Sequence, residues 1–183
     1  MRRLLHAIML GILGAGIVHI VVLFLVPEFS DRNAWSRLSE VSGLYTMVRL
    51  DAEPAAAPVV KGVDPLFQAA ACRFDLGDGM LQIKAPGKVP FWSVAVYDRG
   101  GHILYSLNDH SVINGVLDAV VLTPAQMLEV RKELPPEFES SVFIEVPANE
   151  GIAVIRAFTP DSSWEPAVSR FLEDSACQAR PAG

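Results

Sequence analysis

The sequence predicts an α+β protein: an N-terminal transmembrane helix followed by a mainly antiparallel β domain with packed helices. Three observations lead there. The first is a 23-residue run without Lys, Arg, Asp or Glu, Leu4 to Val26. The second is a pair of Val-, Trp-, Tyr- and Ile-rich segments around Asp98-Arg99-Gly100-Gly101. The third is an apolar stripe at helical spacing near the carboxyl end, Trp164, Val168, Phe171 and Leu172.

At about 1.5 Å per residue the opening run reaches roughly 34 Å, enough for a hydrocarbon core of about 30 Å. A removable export signal has an apolar region of about 7 to 15 residues and then small residues at its cleavage site. Here the run is longer and ends in Val26-Pro27-Glu28-Phe29. That favours an uncleaved signal anchor over a processed signal or a buried soluble helix. Arg2 and Arg3 precede it, whereas Glu28 and Asp31 come after it with Arg32. The positive-inside bias then places the amino terminus in the cytoplasm of a bacterial inner membrane and the rest in the periplasm.

The expected organisation is a membrane helix over 1–26, a juxtamembrane segment and linker over 27–62, and an exported α+β domain over 63–183. Asp31 or Asn33 can cap a short helix through Trp35-Ser36-Arg37-Leu38. "DAEPAAAPVVKG", Asp51 to Gly62, reads as linker from its two prolines and alanine run. Asp64-Pro65 looks like a cap and first-turn proline opening a short helix through Leu66, Ala69, Ala70 and Arg73. "DLGDG" is a turn, and "MLQIKA" after it is extended.

From Val89 to Asp109 the pattern is a β-hairpin, its glycines supplying positive φ at the turn. The first strand has Phe91 and Tyr97 on one face and Trp92, Val94 and Val96 on the other, which makes it a central strand. "VLDAVVLT" is a further strand, ended by Thr123-Pro124-Ala125-Gln126. That tetrad has the form of a capping box with Thr123 as N-cap and Gln126 at N3. Met127, Val130 and Leu134 then recur on one helical side until Pro135-Pro136. "SVFIEVP" and "GIAVIRAFT" suggest a second hairpin across Ala148-Asn149-Glu150-Gly151. The closing amphipathic helix has Cys177 at or just past its end.

The chain of 183 residues has 51% hydrophobic residues and a mean hydropathy of +0.32, much of the excess lying in the opening run. Without Arg2 and Arg3 the remainder has 13 basic and 21 acidic residues, a net charge of −8. An acidic domain repels nucleic acid, so nucleic-acid partners are set aside. Cys72 and Cys177 both fall in the exported part, where an oxidising compartment allows pairing. Their loop would enclose 106 residues counting both ends. The alternative is two buried free thiols, since sequence does not supply the geometry of a disulfide.

His102, His110 and Asp109 are the candidates for acid–base or metal chemistry, but their spacing matches no common ligand pattern. Asp109-His110-Ser111 holds the letters of a hydrolase triad, although triads assemble from separated positions. Neither G-x-S-x-G nor S-x-x-K occurs, and no cofactor or metal site is expected. "DLGDG" lacks the alternating oxygen ligands of a calcium loop. Within the opening run Ala7, Gly11, Ala15 and His19 recur every four residues, a spacing that lets two membrane helices approach closely. His6 and His19 are about 20 Å apart along a helix, too far for both to ligate one haem iron.

Cys72, Arg73, Phe74, Asp75 and Leu76, then Phe91, Trp92, Ser93, Tyr97 and Asp98, carry a family likeness. The stretch from Pro65 to Asp109 resembles the bacterial family named domain of unknown function 1254. Its members share a Cys-Arg-Tyr/Phe-Asp-Leu segment and an aromatic-Trp-Ser strand ending in Tyr-Asp. Larger relatives add domain of unknown function 1214, for which this chain has no room. The resemblance implies a small exported envelope protein working with a separately encoded partner. The leading expectation is therefore a single-pass membrane protein with a binding or structural periplasmic domain. Its associations would be with the membrane and with a partner membrane protein or a second copy through the helix. The alternative is an envelope hydrolase-like enzyme, or a subunit of a two-chain enzyme, using His102, His110 and a nearby carboxylate such as Asp98 or Asp109.

Overall fold

The computed structural model describes residues 2–28, 34–50, 64–112 and 115–181. It divides into two compact units, Met1–Asn33 and Ala34–Gly183. The first is one helix, α1 (Arg2–Glu28), which continues two residues past Val26. Its stretch Arg2–Leu25 is long and apolar enough to cross a membrane, with a mean hydropathy of 2.7. Gly11, Gly14 and Gly16 have open space where a side chain would stand.

Nine strands form the second unit's framework among the described residues: β1 (Val48–Arg49), β2 (Phe67–Asp75), β3 (Met80–Ala85), β4 (Trp92–Asp98), β5 (Ile103–Asn108), β6 (Leu117–Leu122), β7 (Val142–Glu145), β8 (Glu150–Phe158) and β9 (Ala176–Arg180). Three helices accompany them: α2 (Ala34–Val41), α3 (Pro124–Lys132) and α4 (Glu165–Glu173). The α+β class is therefore as the sequence predicts, but there are two sheets. One has the order β1-β2-β8-β4-β5 and the other β7-β6-β3-β9. Every pairing is antiparallel except β6 with β7.

Alternation along the strands builds one core from both sheets. Ala70, Cys72 and Phe74 of β2, Val94 and Val96 of β4, and Ala153 and Ile155 of β8 join Leu81 and Ile83 of β3 and Ala119 and Val121 of β6. Val168, Phe171 and Leu172 of α4 complete it. Cys72 and Cys177 are disulfide-bonded with their Cα atoms 6.5 Å apart, tying β2 in one sheet to β9 in the other. Burial of this apolar surface, at roughly 25 cal/mol per Å², is the main favourable term.

Two strand assignments differ from the sequence reading. Residues 67–75 form β2, not a helix. Asp64 does accept from the Leu66 N–H at 3.0 Å, but in a turn that delivers the chain to the sheet. All nine residues of β2 pair with β8, from Phe67 opposite Phe158 to Asp75 opposite Glu150. The helical reading rested on the Asp64-Pro65 cap and first-turn proline and on the residues that follow, a local signal that tertiary pairing overrides. The alanines serve closeness: Ala71 lies under Trp35 and Leu38 of α2 on the outer face.

The second difference is that β7 and β8 form no hairpin. β7 pairs with β6 in one sheet, whereas β8 pairs with β2 and β4 in the other. The turn at 75–80 likewise passes from sheet to sheet. These two crossings meet where the Leu76 N–H donates to the Asn149 carbonyl at 2.8 Å. A side chain on Gly151 would stand 2.5 Å from the Phe74 ring, so only glycine fits at that crossing.

Other features agree with the sequence reading. β4 and β5 form the expected hairpin, with β4 central between β8 and β5. Gly101 has φ +88° at the turn. Thr123 caps α3: its hydroxyl accepts from the Gln126 N–H, while Gln126 Oε1 accepts from the Thr123 N–H at 2.8 Å. Gln126 Nε2 also donates to the Leu76 carbonyl at 2.8 Å, which ties the cap to the sheet crossing. Of the α3 stripe, Val130 is buried, and Leu134 falls beyond the helix end and is exposed. Trp164 precedes the first turn of α4 and is exposed, while its other three stripe residues are buried. The expected caps Asp31 and Asn33 and the linker Asp51 to Gly62 lie outside the described residues.

The chain-entropy account of cross-linking gives about 4.7 kcal/mol for a loop near 100 residues. Replacing Cys72 and Cys177 together by alanine is therefore expected to lower stability by about 2–5 kcal/mol in denaturant unfolding. A variant as stable as the parent would show that the sheets hold together without the bond.

Candidate functional site

At one end of the five-stranded sheet the last residue of β2, the β4–β5 turn and the start of β8 surround a cleft of about 510 Å³. Asp75, Asp98, Arg99, Gly100, Ala148, Asn149 and Glu150 line it. Three carboxylates and one guanidinium thus meet in a concavity made by strand ends. None is contributed by a helix.

Each carboxylate is held by the local fold. Asp75 Oδ1 accepts from the Gly77 N–H at 2.8 Å, which shapes the sheet-crossing turn. Asp98 Oδ1 accepts from the His102 N–H at 2.8 Å, and Asp98 Oδ2 lies 3.0 Å from His102 Nδ1. Glu150 Oε2 lies 2.8 Å from Arg99 Nη1. The His102 N–H, more than any other contact, holds the Asp98 carboxyl below the usual carboxylate range; partial burial opposes it, and the imidazole and the Gly100 N–H add to it.

Behind the cleft, two guanidinium groups meet one indole. Arg73 lies 5.0 Å and Arg99 5.7 Å from the Trp35 ring, distances suited to cation–π attraction. Arg73 is buried, and its Nη2 donates to the Ser42 carbonyl just past α2 at 2.7 Å. Tyr45, at φ 57°, donates its hydroxyl to the Asp75 carbonyl, and burial pushes that phenol up. These contacts hold α2 and the segment after it on the sheet beside the cleft.

His102 and His110 stand at opposite ends of β5. The six residues of β5 between them, at about 3.3 Å each, separate them by roughly 20 Å. Both side chains are 82% exposed. His110 Nδ1 lies 2.9 Å from Asp109 Oδ1, and the Ser111 hydroxyl donates to Asn108 Oδ1 at 3.1 Å instead of to His110. Asn108 also accepts from the His110 N–H, so it is the cap of a short 3-10 turn. The structure therefore brings Asp98 to His102 and Asp109 to His110, but not the two pairs together. Only Asp98 of the four lines the cleft. Among the described residues no group of three or more His, Cys, Asp or Glu is placed to hold a metal.

The reading from residue patterns missed Arg73, Arg99, Glu150 and Trp35. A charged residue inside "AAACRFD" was the available signal for Arg73. The Arg99–Glu150 pair spans 51 positions and left no local signal.

No family model matches the chain, and no curated protein matches it. Solved structures similar to the chain include the following two. The VPA0106 protein from Vibrio parahaemolyticus is 10% identical with a TM-score of 0.49 over 64% of this chain and 28% of its own. An uncharacterized protein from Burkholderia cenocepacia is 16% identical with a TM-score of 0.45 over 66% of this chain and 31% of its own. The chain thus spans less than a third of the length of either.

The Asp98 contacts imply a pH dependence with a definite sign. A carboxylate whose folded value is depressed stabilises the fold above its unfolded value, near 3.8, and that contribution is lost as pH falls through the folded value. In acid unfolding, Asp98→Asn is expected to flatten the stability profile below about pH 4. An unchanged slope would show that the Asp98–His102 turn has no net effect.

Proposed function

We propose that the chain is a single-pass inner-membrane protein, its amino terminus cytoplasmic, whose α+β domain has a binding or structural role in the periplasm. The observation that carries this reading is a helix without a charged residue from Leu4 to Val26, joined to a domain whose only two cysteines form a disulfide. Structural disulfides persist in oxidising compartments, and Arg2 and Arg3 ahead of the apolar run match export of the domain on its far side. The likeness of Pro65 to Asp109 to domain of unknown function 1254 is part of the same proposal and agrees with an envelope location.

The cleft favours a framework role. Its three carboxylates shape turns or neutralise Arg99, and the two histidines are far apart on exposed ends of one strand. Association in the membrane would use the face bearing Ala7, Gly11, Ala15 and His19, where small side chains let a second helix approach. A partner membrane protein or another copy can provide that helix.

A reporter active only in the periplasm, fused to the carboxyl terminus, is expected to be active. The matching cytoplasm-only reporter is expected to be silent. The opposite pattern overturns the topology. Recovery of the domain from membranes as a cleaved soluble species would overturn the anchor.

A further inference from the structure

A pocket of about 340 Å³ lies in the second unit between the β3–β4 connection and α4, apart from the strand-end cleft. Gly87 and Lys88 line it from the connection, and Arg170, Phe171 and Asp174 line it from α4 and its C-cap. Small-molecule sites commonly have volumes of about 300–1,000 Å³. Phe171 is otherwise buried in the main core, so the pocket has an aromatic base. Gly87 has φ +108°, which other residues adopt only with strain, and a Cβ there would stand 3.7 Å from the Phe171 ring. Glycine thus brings the backbone of the connection against the ring with no side chain to fill the space.

The charged groups of this pocket differ from those of the cleft. In the cleft the carboxylates and Arg99 are engaged within the chain. Most cations of the unit are likewise engaged, Lys84 with Asp118, Lys132 with Glu129 and Arg73 with the Ser42 carbonyl. Among the described residues of the unit, the side chains of Arg37, Lys88, Arg131 and Arg170 have no hydrogen-bond, ionic or ring partner. Two of these four line the one pocket. Arg170 and Asp174 are four positions apart, where side chains on a helix are neighbours, yet no ion pair joins them. The unit is acidic, so two unpaired cations in one concavity reverse its field locally.

We infer that this pocket binds a small organic carboxylate with an apolar body, the carboxylate between Lys88 and Arg170 and the body on the Phe171 ring. Charge complementarity carries the assignment. Two cations outweigh the Asp174 carboxylate together with the roughly half negative charge at the C-terminal end of α4. Arg170 offers a planar fork matched to a carboxylate, and Lys88 adds a mobile point charge. The aromatic base favours an organic anion over a bare inorganic one, because only the former has apolar surface to remove from water. This goes beyond the topology and the helix association proposed above, since the pocket lies wholly within the second unit.

The test uses the full chain in a zwitterionic detergent, with sodium phenylacetate as the probe and the Gly87 and Asp174 amide resonances followed by NMR. Both are expected to shift saturably. Benzyl alcohol, which has the ring without the charge, and inorganic phosphate, which has charge without the ring, are each expected to bind about tenfold more weakly or less. Lys88→Gln and Arg170→Gln are each expected to weaken phenylacetate binding by about threefold or more, and Asp174→Asn to tighten it by about twofold. All three side chains are exposed, and a carboxylate at the C-terminal end of a helix opposes its dipole, so these variants are expected to fold, with the remaining amide spectrum as the check. Partition of the probe into detergent is common to all variants and cancels from the comparison. No saturable shift at Gly87, equal binding of benzyl alcohol or phosphate, unchanged binding in both cation variants, or weaker binding by Asp174→Asn each overturns the inference.

Discussion

A cystine between β2 and β9 crosses the boundary between two sheets, and most of the domain's order comes from keeping that boundary dry. Each sheet offers one apolar face, which is stable only when covered, and here each covers the other. Cys72 is fully buried and Cys177 nearly so, which places the bond inside the packing instead of at its rim. The bond fixes which strand of one sheet faces which strand of the other. It also joins a strand near the start of the domain to its last strand, so the intervening chain folds inside a closed loop.

The outer faces are treated unequally. On the four-stranded sheet, Val130 of α3 and Phe138 of the 3-10 turn just after it cover Met80, Val120 and Leu122 in a small second core. The rest of that face is polar: Asp118 accepts from the Ser141 hydroxyl at 2.8 Å and lies 3.2 Å from Lys84 Nζ. On the five-stranded sheet α2 covers only part of the outer face, by Trp35 and Leu38. A single eight-residue helix buries little area, and the two guanidinium contacts to Trp35 add polarisation attraction that packing alone lacks. Arg73 thereby has a role that accounts for a cation in a buried strand.

Local signals were legible and long-range ones were not. The β4–β5 turn and the Thr123–Gln126 capping box each involve contacts within a few residues, so residue type and spacing disclosed them. β2 was misread because Asp64-Pro65 has the form of a helix start, while nine pairings to β8 settle the matter from about 80 residues away. The supposed β7–β8 hairpin failed for the same reason. Its turn residues are real, but they turn the chain between sheets. The brief polar strand β9 left no periodic trace at all. In the site, Asp98 and His102 are four positions apart and were both named, though not as a pair; Arg99 and Glu150 are brought together only by the sheet.

The cleft at the strand ends is a consequence of this architecture. Wherever two chains leave one sheet for another and a hairpin turns beside them, backbone N–H groups are left without strand partners. Short acidic side chains satisfy such groups well, as Asp75 does for Gly77 and Asp98 for His102. The carboxylates therefore collect at this end because turns collect there, and Arg99 offsets their charge while it reaches Trp35.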